Sequence, residues 1–184
     1  MHRADESNQE QLNVAYRTAC GLYSTPVAAV TARVESELFG ATVNSFTSLS
    51  LDPAMLVVCL AQASNTAKAL QVGSQFGLSI LSSDQETIAR TLASRDPDKM
   101  KAVLLRDLDG LAPVVEGAQS QMACHVEDIV PHATHVIIIA RLKAIEYDPT
   151  RLPAVYYKGR FVLRMSERHD GSPIPPELRH VETL

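Results

Sequence analysis

Residues 40–60 read GATVNSFTSLSLDPAMLVVCL, and this stretch carries the strongest information about the fold. The end of this stretch, together with Ala61, is the apolar run AMLVVCLA (54–61). This run is too short for a typical helix and is bounded by turn residues, which predicts a central strand buried on both faces. Upstream, PVAAVTARV (26–34) is rich in β-branched residues, and the side chains of ATVNSFTSLSL (41–51) alternate in character as those of a strand do. We therefore expect a hairpin whose turn, ESELFG, closes at Gly40, followed by a loop that ends at Asp52 and Pro53.

The segments on either side of this stretch predict short helices and further strands. The predicted helices are residues 7–21, with Ser7 and Glu10 in capping-box spacing and an end at Gly21, residues 65–73 after a Ser64 cap, and a helix opened by Ser83 and Glu86. The predicted strands are 76–82, 120–130, 134–147 and 154–164. This order favours an α+β chain with a mostly antiparallel sheet, and strands at this spacing can close into a barrel.

Composition limits the class of protein. The chain has 184 residues, 46% hydrophobic and 21% charged, with no internal repeat or dividing linker, so one domain over 1–184 is expected. The net charge of -4, without a run of Lys or Arg longer than two, argues against a nucleic-acid partner. A polar N-terminus and the lack of a long apolar segment favour a cytoplasmic protein without a membrane span. Its three cysteines do not suggest a disulfide framework.

The first candidate site is a cluster of small polar side chains in residues 42–50, where a core strand would otherwise be apolar. Two interpretations remain open: an edge strand whose hydroxyls face water, or a strand that hydrogen-bonds a planar polar ligand. The cluster consists of Thr42, Asn44, Ser45, Thr47, Ser48 and Ser50.

The second candidate site is Ser64, Asn65 and Thr66, placed where a strand ends and a helix begins. Free backbone N–H groups and the helix dipole at such a junction favour an anion, for example a cofactor phosphate. Simple helix capping by Ser64 accounts for the same residues.

Two further clusters lie in the second half of the chain. His132 and His135 precede an apolar strand, but the tight ligand pairs of a zinc site are missing, so no metal is predicted. His135 fits either a structural strand end or a substrate-facing position. Residues 156–161, YYKGRF, read as a turn flanked by aromatics. The motifs GxGxxG, GxxxxGK[ST], HExxH and GxSxG are absent, which disfavours a Rossmann domain and a P-loop.

Taken in order, these segments resemble the flavin reductase family of two-component monooxygenases, the small FMN-binding split-barrel proteins. The resemblance runs from about residue 16 to about residue 163 and is strongest at 40–60. Further matches are the turn at 64–66, FGLSILSSDQ at 76–85, residues 110–128, His135 and residues 156–161. The chain departs from the family where Ala54 follows Asp-Pro and where Ala133 and Thr134 precede the histidine.

The resemblance implies a mostly β (α+β) fold: an antiparallel Greek-key split β-barrel with short peripheral helices and a core over about 16–165. It implies an NAD(P)H:flavin oxidoreductase that passes hydride from NADH or NADPH to FMN or FAD. The implied flavin contacts are Thr42, Asn44, Ser45, Thr47, Ser48, Leu49, Ser50, Ala61, Ser64, Asn65, Thr66, Ser82 and Gln85. His135, Tyr157 and Phe161 would border the nicotinamide.

The family further implies a homodimer that supplies reduced flavin to a partner monooxygenase. Two alternatives remain open at this point: a flavin- or haem-binding module without turnover, and another FMN-dependent oxidoreductase of the same fold. The proline-rich tail, residues 169–184, is expected to lie over the surface or against a partner subunit.

Overall fold

The computed structural model describes residues 2–162, and the predicted tail at 169–184 lies outside them. Strands dominate. They are β1 (Thr25–Pro26), β2 (Ala28–Val34), β3 (Glu37–Val43), β4 (Thr47–Leu51), β5 (Ala54–Ala61), β6 (Gln75–Ile80), β7 (Leu105–Leu108), β8 (Ala112–Val115), β9 (Ser120–His132), β10 (His135–Tyr147), β11 (Val155–Tyr157) and β12 (Arg160–Val162). The helices are α1 (His2–Gly21), α2 (Asn65–Ala69), α3 (Glu86–Ala93) and a 3-10 turn at Lys99–Ala102.

Seven strands form one antiparallel sheet in the order β3-β2-β6-β9-β10-β5-β4. In a flat sheet the two edge strands would lie about 29 Å apart, six spacings of about 4.8 Å. Only residues 44–46 connect them, and such a link spans at most about 14 Å. The sheet must therefore curl until its edges approach each other. Within residues 2–162 β3 and β4 form no ladder with each other, so the barrel is split, as predicted.

The barrel encloses an apolar core. Val30, Val58, Phe76 and Ile138 are fully buried there, on four different strands. Strand β5 lies inside the sheet, between β10 and β4, but its burial alternates. Every second residue points inward, while the outer face is only half-buried. Within this one chain the predicted burial therefore holds for the inner face of β5, while the outer face is left half-buried.

The hairpin β7–β8 lies against the barrel and was not predicted. All four residues of β8 are buried, although the strand is not part of the main sheet. Side chains of the main sheet satisfy its backbone: the Thr31 hydroxyl donates to the carbonyl of Pro113 (2.6 Å), and the Ser79 hydroxyl accepts from the N–H of Val115 (3.0 Å). Because β8 comes this close, position 77 has no room for a side chain. A Cβ on Gly77 would lie 1.9 Å from the Pro113 oxygen.

The predicted hairpin β2–β3 forms, with a tighter turn than expected. Strand β3 begins at Glu37, so the turn consists of Glu35 and Ser36, with Glu35 at φ 55°. The loop predicted to reach Asp52 is short, since residues 47–51 pair with β5 as an edge strand.

Helix boundaries differ at three places. Helix α1 begins at His2 rather than at Ser7 and ends at Gly21 as predicted. Helix α2 ends at Ala69, because Leu70 is extended and buried in the core. Helix α3 does not use the predicted Ser83 capping box. It begins at Glu86 with Gln85 at the N-cap, and no side chain caps it. No helix among residues 2–162 is long and apolar enough to span a bilayer.

Candidate functional site

A groove of about 990 Å³ opens at the split of the barrel, and we call it the seam groove. Three segments that are distant in sequence line its base, one side and its rim: residues 37–45, residues 59–66 except Gln62, and His135. The opposite side is residues 92–100 except Asp98, from the end of α3 and the following turn. The groove contains eight of the predicted site residues: Thr42, Asn44, Ser45, Ala61, Ser64, Asn65, Thr66 and His135.

The base of the seam groove is the free edge of β3. This strand pairs only with β2, so its other edge presents backbone N–H and C=O groups. Ser45, which lies just beyond the end of β3, connects this edge to β5. Its hydroxyl donates to the carbonyl of Cys59 (2.8 Å) and accepts from the N–H of Cys59 (3.1 Å). The Ser45 hydroxyl is therefore committed to the protein, while the neighbouring Asn44 side chain is exposed.

The turn before α2 forms one wall. The Ser64 hydroxyl accepts from the N–H of Ala67 (3.1 Å), so Ser64 acts as the helix cap. Thr66 is buried and Asn65 is exposed. Helix α2 has only five residues, so its dipole adds little to anion binding. The polar groups that Asn65 presents are therefore the main contribution of this wall.

His135 begins β10 at the rim of the groove and is exposed. Its Nδ1 lies 2.9 Å from the Thr134 hydroxyl. The backbone is fixed from β5, because Gln62 donates from its side chain to the carbonyl of His135 (3.1 Å) and from its N–H to the carbonyl of Thr134 (3.0 Å). The imidazole therefore stands on a fixed strand end, with Nε2 free of any protein partner within the described residues.

The wall at residues 92–100 was not predicted from the sequence. It is held in place by Thr42, whose hydroxyl donates to the carbonyl of Ala89 (2.6 Å), and by Lys99, whose Nζ donates to the carbonyl of Leu92 (2.8 Å). Burial lowers the pKa of Lys99. Arg95 is exposed in the groove lining. The charged turn SRDPDK (94–99) after a predicted helix is the available signal, but nothing in it indicates that it folds back onto β3.

The other predicted residues lie outside the seam groove. Thr47, Ser48, Leu49 and Ser50 are on β4, the opposite edge of the sheet, and Leu49 is 47% exposed. Ser82 and Gln85 are buried and bonded within the protein: Gln85 accepts from the N–H of Ser82 (3.1 Å) and donates to the carbonyl of Glu116 (2.8 Å).

Tyr157 and Phe161 flank the β11–β12 turn. The Phe161 ring packs edge-on against Tyr156, with centroids 5.4 Å apart, and the Arg90 guanidinium lies 5.1 Å above it. Beside this turn is a second cavity of about 670 Å³, bordered by the end of α1 and by Tyr156 and Lys158. Asn44 lines both cavities, so they adjoin each other at the seam. Tyr157 and Phe161 line neither.

The described residues do not form a set of ligands for a metal ion. In the part of the chain described by the structure, no three His, Cys, Asp or Glu side chains lie close enough to share an ion. The arrangement offers instead a long groove with a backbone edge, amide and hydroxyl groups, one rim histidine and few charges.

Comparison with known proteins gives a consistent result. The model of the "Flavin reductase like domain" family matches residues 20–162. An NADH-dependent flavin reductase from a Rhodococcus species is 32% identical, over 86% of this chain and 90% of its own. A probable flavin reductase of Rhizobium meliloti is 33% identical over 90% of this chain, which spans about half (53%) of that relative's length.

Solved structures agree. An NADH:FAD oxidoreductase from Streptomyces globisporus, in complex with NAD and FAD fragments, superposes with a TM-score of 0.79 at 28% identity, covering 86% of this chain and 95% of the other. The styrene monooxygenase flavin reductase of Pseudomonas putida gives a TM-score of 0.73 at 33% identity, covering 79% and 94%.

Proposed function

The chain belongs to the flavin reductase-like domain family, and from that premise we propose that it is an NAD(P)H-dependent flavin reductase whose seam groove binds the flavin. Bound flavin supplies the hydride acceptor and the nicotinamide supplies the donor. The task of the protein is to bind both rings, orient them and exclude competing water. No general acid or base is needed for this task.

One observation supports the assignment above all others. Three segments separated by up to about 90 residues in the chain, containing Thr42 to Ser45, Ala61 to Thr66 and His135, line the same groove. A merely water-facing edge strand would not require this convergence. The free edge of β3 adds backbone donors and acceptors, which suit the polar edge of a flavin ring.

We assign different roles to the predicted residues. Asn44 and Asn65, both exposed in the groove, are proposed as direct ligands, with Asn44 near the ring and Asn65 near the phosphate. The β4 hydroxyls at Thr47, Ser48 and Ser50 are proposed to complete the ring site from the other edge of the seam. Donors at this place would stabilise the negative charge that develops on flavin reduction.

The remaining predicted residues are proposed to act by position. The hydroxyls of Thr42, Ser45 and Ser64 are bonded to the backbone, and they shape the groove. Ser82 and Gln85 fix the start of α3. His135 stands at the rim of the groove, where we place the nicotinamide, and Tyr157 and Phe161 support the adjoining turn.

The decisive experiment mixes purified protein, FMN or FAD, and NADH, and follows the loss of NADH absorbance. A flavin reductase oxidises NADH only when flavin is present, at a rate well above that of a control without protein. Rates equal to that control would favour a binding module without turnover. NADH oxidation without added flavin, by protein that keeps its flavin through dialysis, would favour another FMN-dependent oxidoreductase.

We further propose a cytoplasmic homodimer that supplies reduced flavin to a monooxygenase. The relative from Pseudomonas putida is named as such a reductase. The outer face of β5 and β10, with Val57, Ile137 and Ile139 only half-buried, supports a covering subunit. So does α1, whose side chains from Asn8 to Cys20 are all exposed. Sedimentation as a monomer at micromolar protein would refute the dimer.

A further inference from the structure

We propose that Thr134 is a positioning residue for His135. The Thr134 hydroxyl donates a hydrogen bond to Nδ1 of the ring, so the neutral imidazole carries its proton on Nε2 and presents an N–H donor to the nicotinamide. The acceptor is the carbonyl oxygen of the nicotinamide carboxamide. The proposal rests on the proposed function, because it assumes that the nicotinamide binds beside His135 at the rim of the seam groove.

The turn that carries Thr134 is held in place from β5. Ala133 and Thr134 form the two-residue turn between β9 and β10, flanked by the paired residues His132 and His135. Gln62 donates from its N–H to the carbonyl of Thr134 (3.0 Å) and from its side chain to the carbonyl of His135 (3.1 Å). Ala133 has φ 52°, a left-handed conformation that is unfavourable for alanine and that the surrounding contacts must maintain. The backbone on both sides of the hydroxyl is therefore fixed relative to the imidazole.

The hydroxyl and the ring meet at hydrogen-bond distance. Oγ1 of Thr134 lies 2.9 Å from Nδ1 of His135, and the hydroxyl has no other hydrogen-bond partner among the described residues. A neutral imidazole has one N–H and one nitrogen lone pair, and the hydrogen bond at one nitrogen sets which of the two carries the proton. An imidazole nitrogen is a better acceptor than a hydroxyl oxygen, and the hydroxyl proton can rotate towards it. The ring proton therefore lies on Nε2.

Nε2 is the ring atom left for a ligand. The His135 side chain is exposed and lines the seam groove, and Nε2 has no protein partner within the described residues. The nicotinamide carboxamide has an oxygen that accepts hydrogen bonds, and an N–H donor of fixed direction selects for that oxygen. Thr134 itself does not line the groove, so its substitution should act on the nicotinamide through His135 and leave flavin binding unchanged.

The first test is steady-state kinetics with saturating flavin and varied NADH. Thr134→Val keeps the shape of the side chain and removes the hydroxyl. The KM for NADH should rise about threefold to tenfold, as expected for the loss of one hydrogen bond, while kcat and the Kd for flavin stay within about twofold. Thr134→Ser should bring the KM back to within about twofold of the unmodified protein. Thr150→Val is the matched control, because Thr150 is exposed, its hydroxyl bonds Asp148 within its own turn (2.6 Å), and it lines neither cavity.

Two further readouts separate the orientation of the ring from a general loosening of the turn. Reduced thionicotinamide adenine dinucleotide has sulfur in place of the carboxamide oxygen, and sulfur is a weaker acceptor. Unmodified protein should therefore have a higher KM for this analogue than for NADH, and the difference should shrink in Thr134→Val. Nitrogen NMR of histidine-labelled protein in mildly alkaline buffer, in which imidazoles are neutral, reports which ring nitrogen is protonated. The His135 signals are those missing from His135→Ala, and in unmodified protein they should show the proton on Nε2.

The outcomes separate this inference from the proposed function. A proton on Nδ1 of His135, or an unchanged KM in Thr134→Val, overturns the inference and leaves flavin reduction standing. Equal weakening of flavin and NADH binding, or the same rise in KM in Thr150→Val, overturns it as well. Unmodified protein that oxidises no NADH in the presence of flavin overturns both. A rise in KM that Thr134→Ser reverses, together with a proton on Nε2, supports the role of Thr134.

Discussion

Replacing Ser45 by alanine tests how the seam of the barrel is held together. Strand β4 pairs with β5 only as far as Val57, so the backbone of Cys59 on that side has no strand partner. The Ser45 hydroxyl takes over this role by bonding both the N–H and the carbonyl of Cys59. Ser45→Ala removes both bonds and leaves the polar groups of a half-buried strand end without a partner.

The magnitude follows from the two bonds. Each contributes about 0.5–1.5 kcal/mol net, so the free energy of unfolding should fall by about 1–3 kcal/mol. For a domain of this size that corresponds to about 2–4 °C in Tm for each kcal/mol. Freeing residues 44–46 also loosens the segment proposed to hold the flavin ring, so the Kd for flavin should rise together with the loss of stability.

The assay is unfolding in urea, monitored by circular dichroism, and the same preparations are titrated with flavin. Ser50→Ala is the matched control for stability: it removes the same hydroxyl from a half-buried position on β4, where the described residues offer it no hydrogen bond. We expect a change of about 0.5 kcal/mol or less in that control. A Ser45→Ala protein as stable as Ser50→Ala would refute the reasoning that this hydroxyl closes the seam.

Two further perturbations test other parts of the fold. Gly77→Ala places a Cβ 1.9 Å from the Pro113 oxygen and should lower the free energy of unfolding by about 3 kcal/mol or more. Gly21→Ala is the control: a Cβ there has no atom within 4 Å, so the free energy of unfolding should change by about 0.5 kcal/mol or less. Equal urea midpoints for the two variants would contradict this. Burial raises the pKa of Cys124 from 9.0 to about 12. The unfolded thiol therefore ionises first, and stability should fall as pH rises from about 9 towards 12, with a shallower fall in Cys124→Ala. Identical pH dependence of the two proteins would count against it.

The sequence was most informative where one pattern has one structural solution. The apolar run at 54–61 is too short for a typical helix and is bounded by turn residues, and the structure has β5 at the same residues. Asn44 and Asn65, both within the resemblance at 40–66, line one groove together with His135, whereas the β4 residues of the same resemblance lie outside that groove. The flavin contacts themselves stay a prediction.

The features that the sequence did not indicate depend on tertiary contacts. Residues 92–100 form a wall because Thr42 and Lys99 bond to the carbonyls of α3, and such bonds have no local signature. The capping-box pattern at Ser83 predicts a helix that begins there. The helix begins at Glu86 instead, because the Gln85 side chain accepts a hydrogen bond from the N–H of Ser82. An apolar run also does not tell what covers each face of a strand, and the outer face of β5 is only half-buried within this chain.

The buried strand β8 has a consequence for the order of folding. Its backbone is bonded by side chains of Thr31, Ser79 and Gln121, which stand on β2, β6 and β9. These side chains come together only once those three strands are paired. Of these bonds, the one to Ser79 engages an amide, the N–H of Val115, so we expect this amide to gain its protection from hydrogen exchange only after β6 and the main sheet are in place.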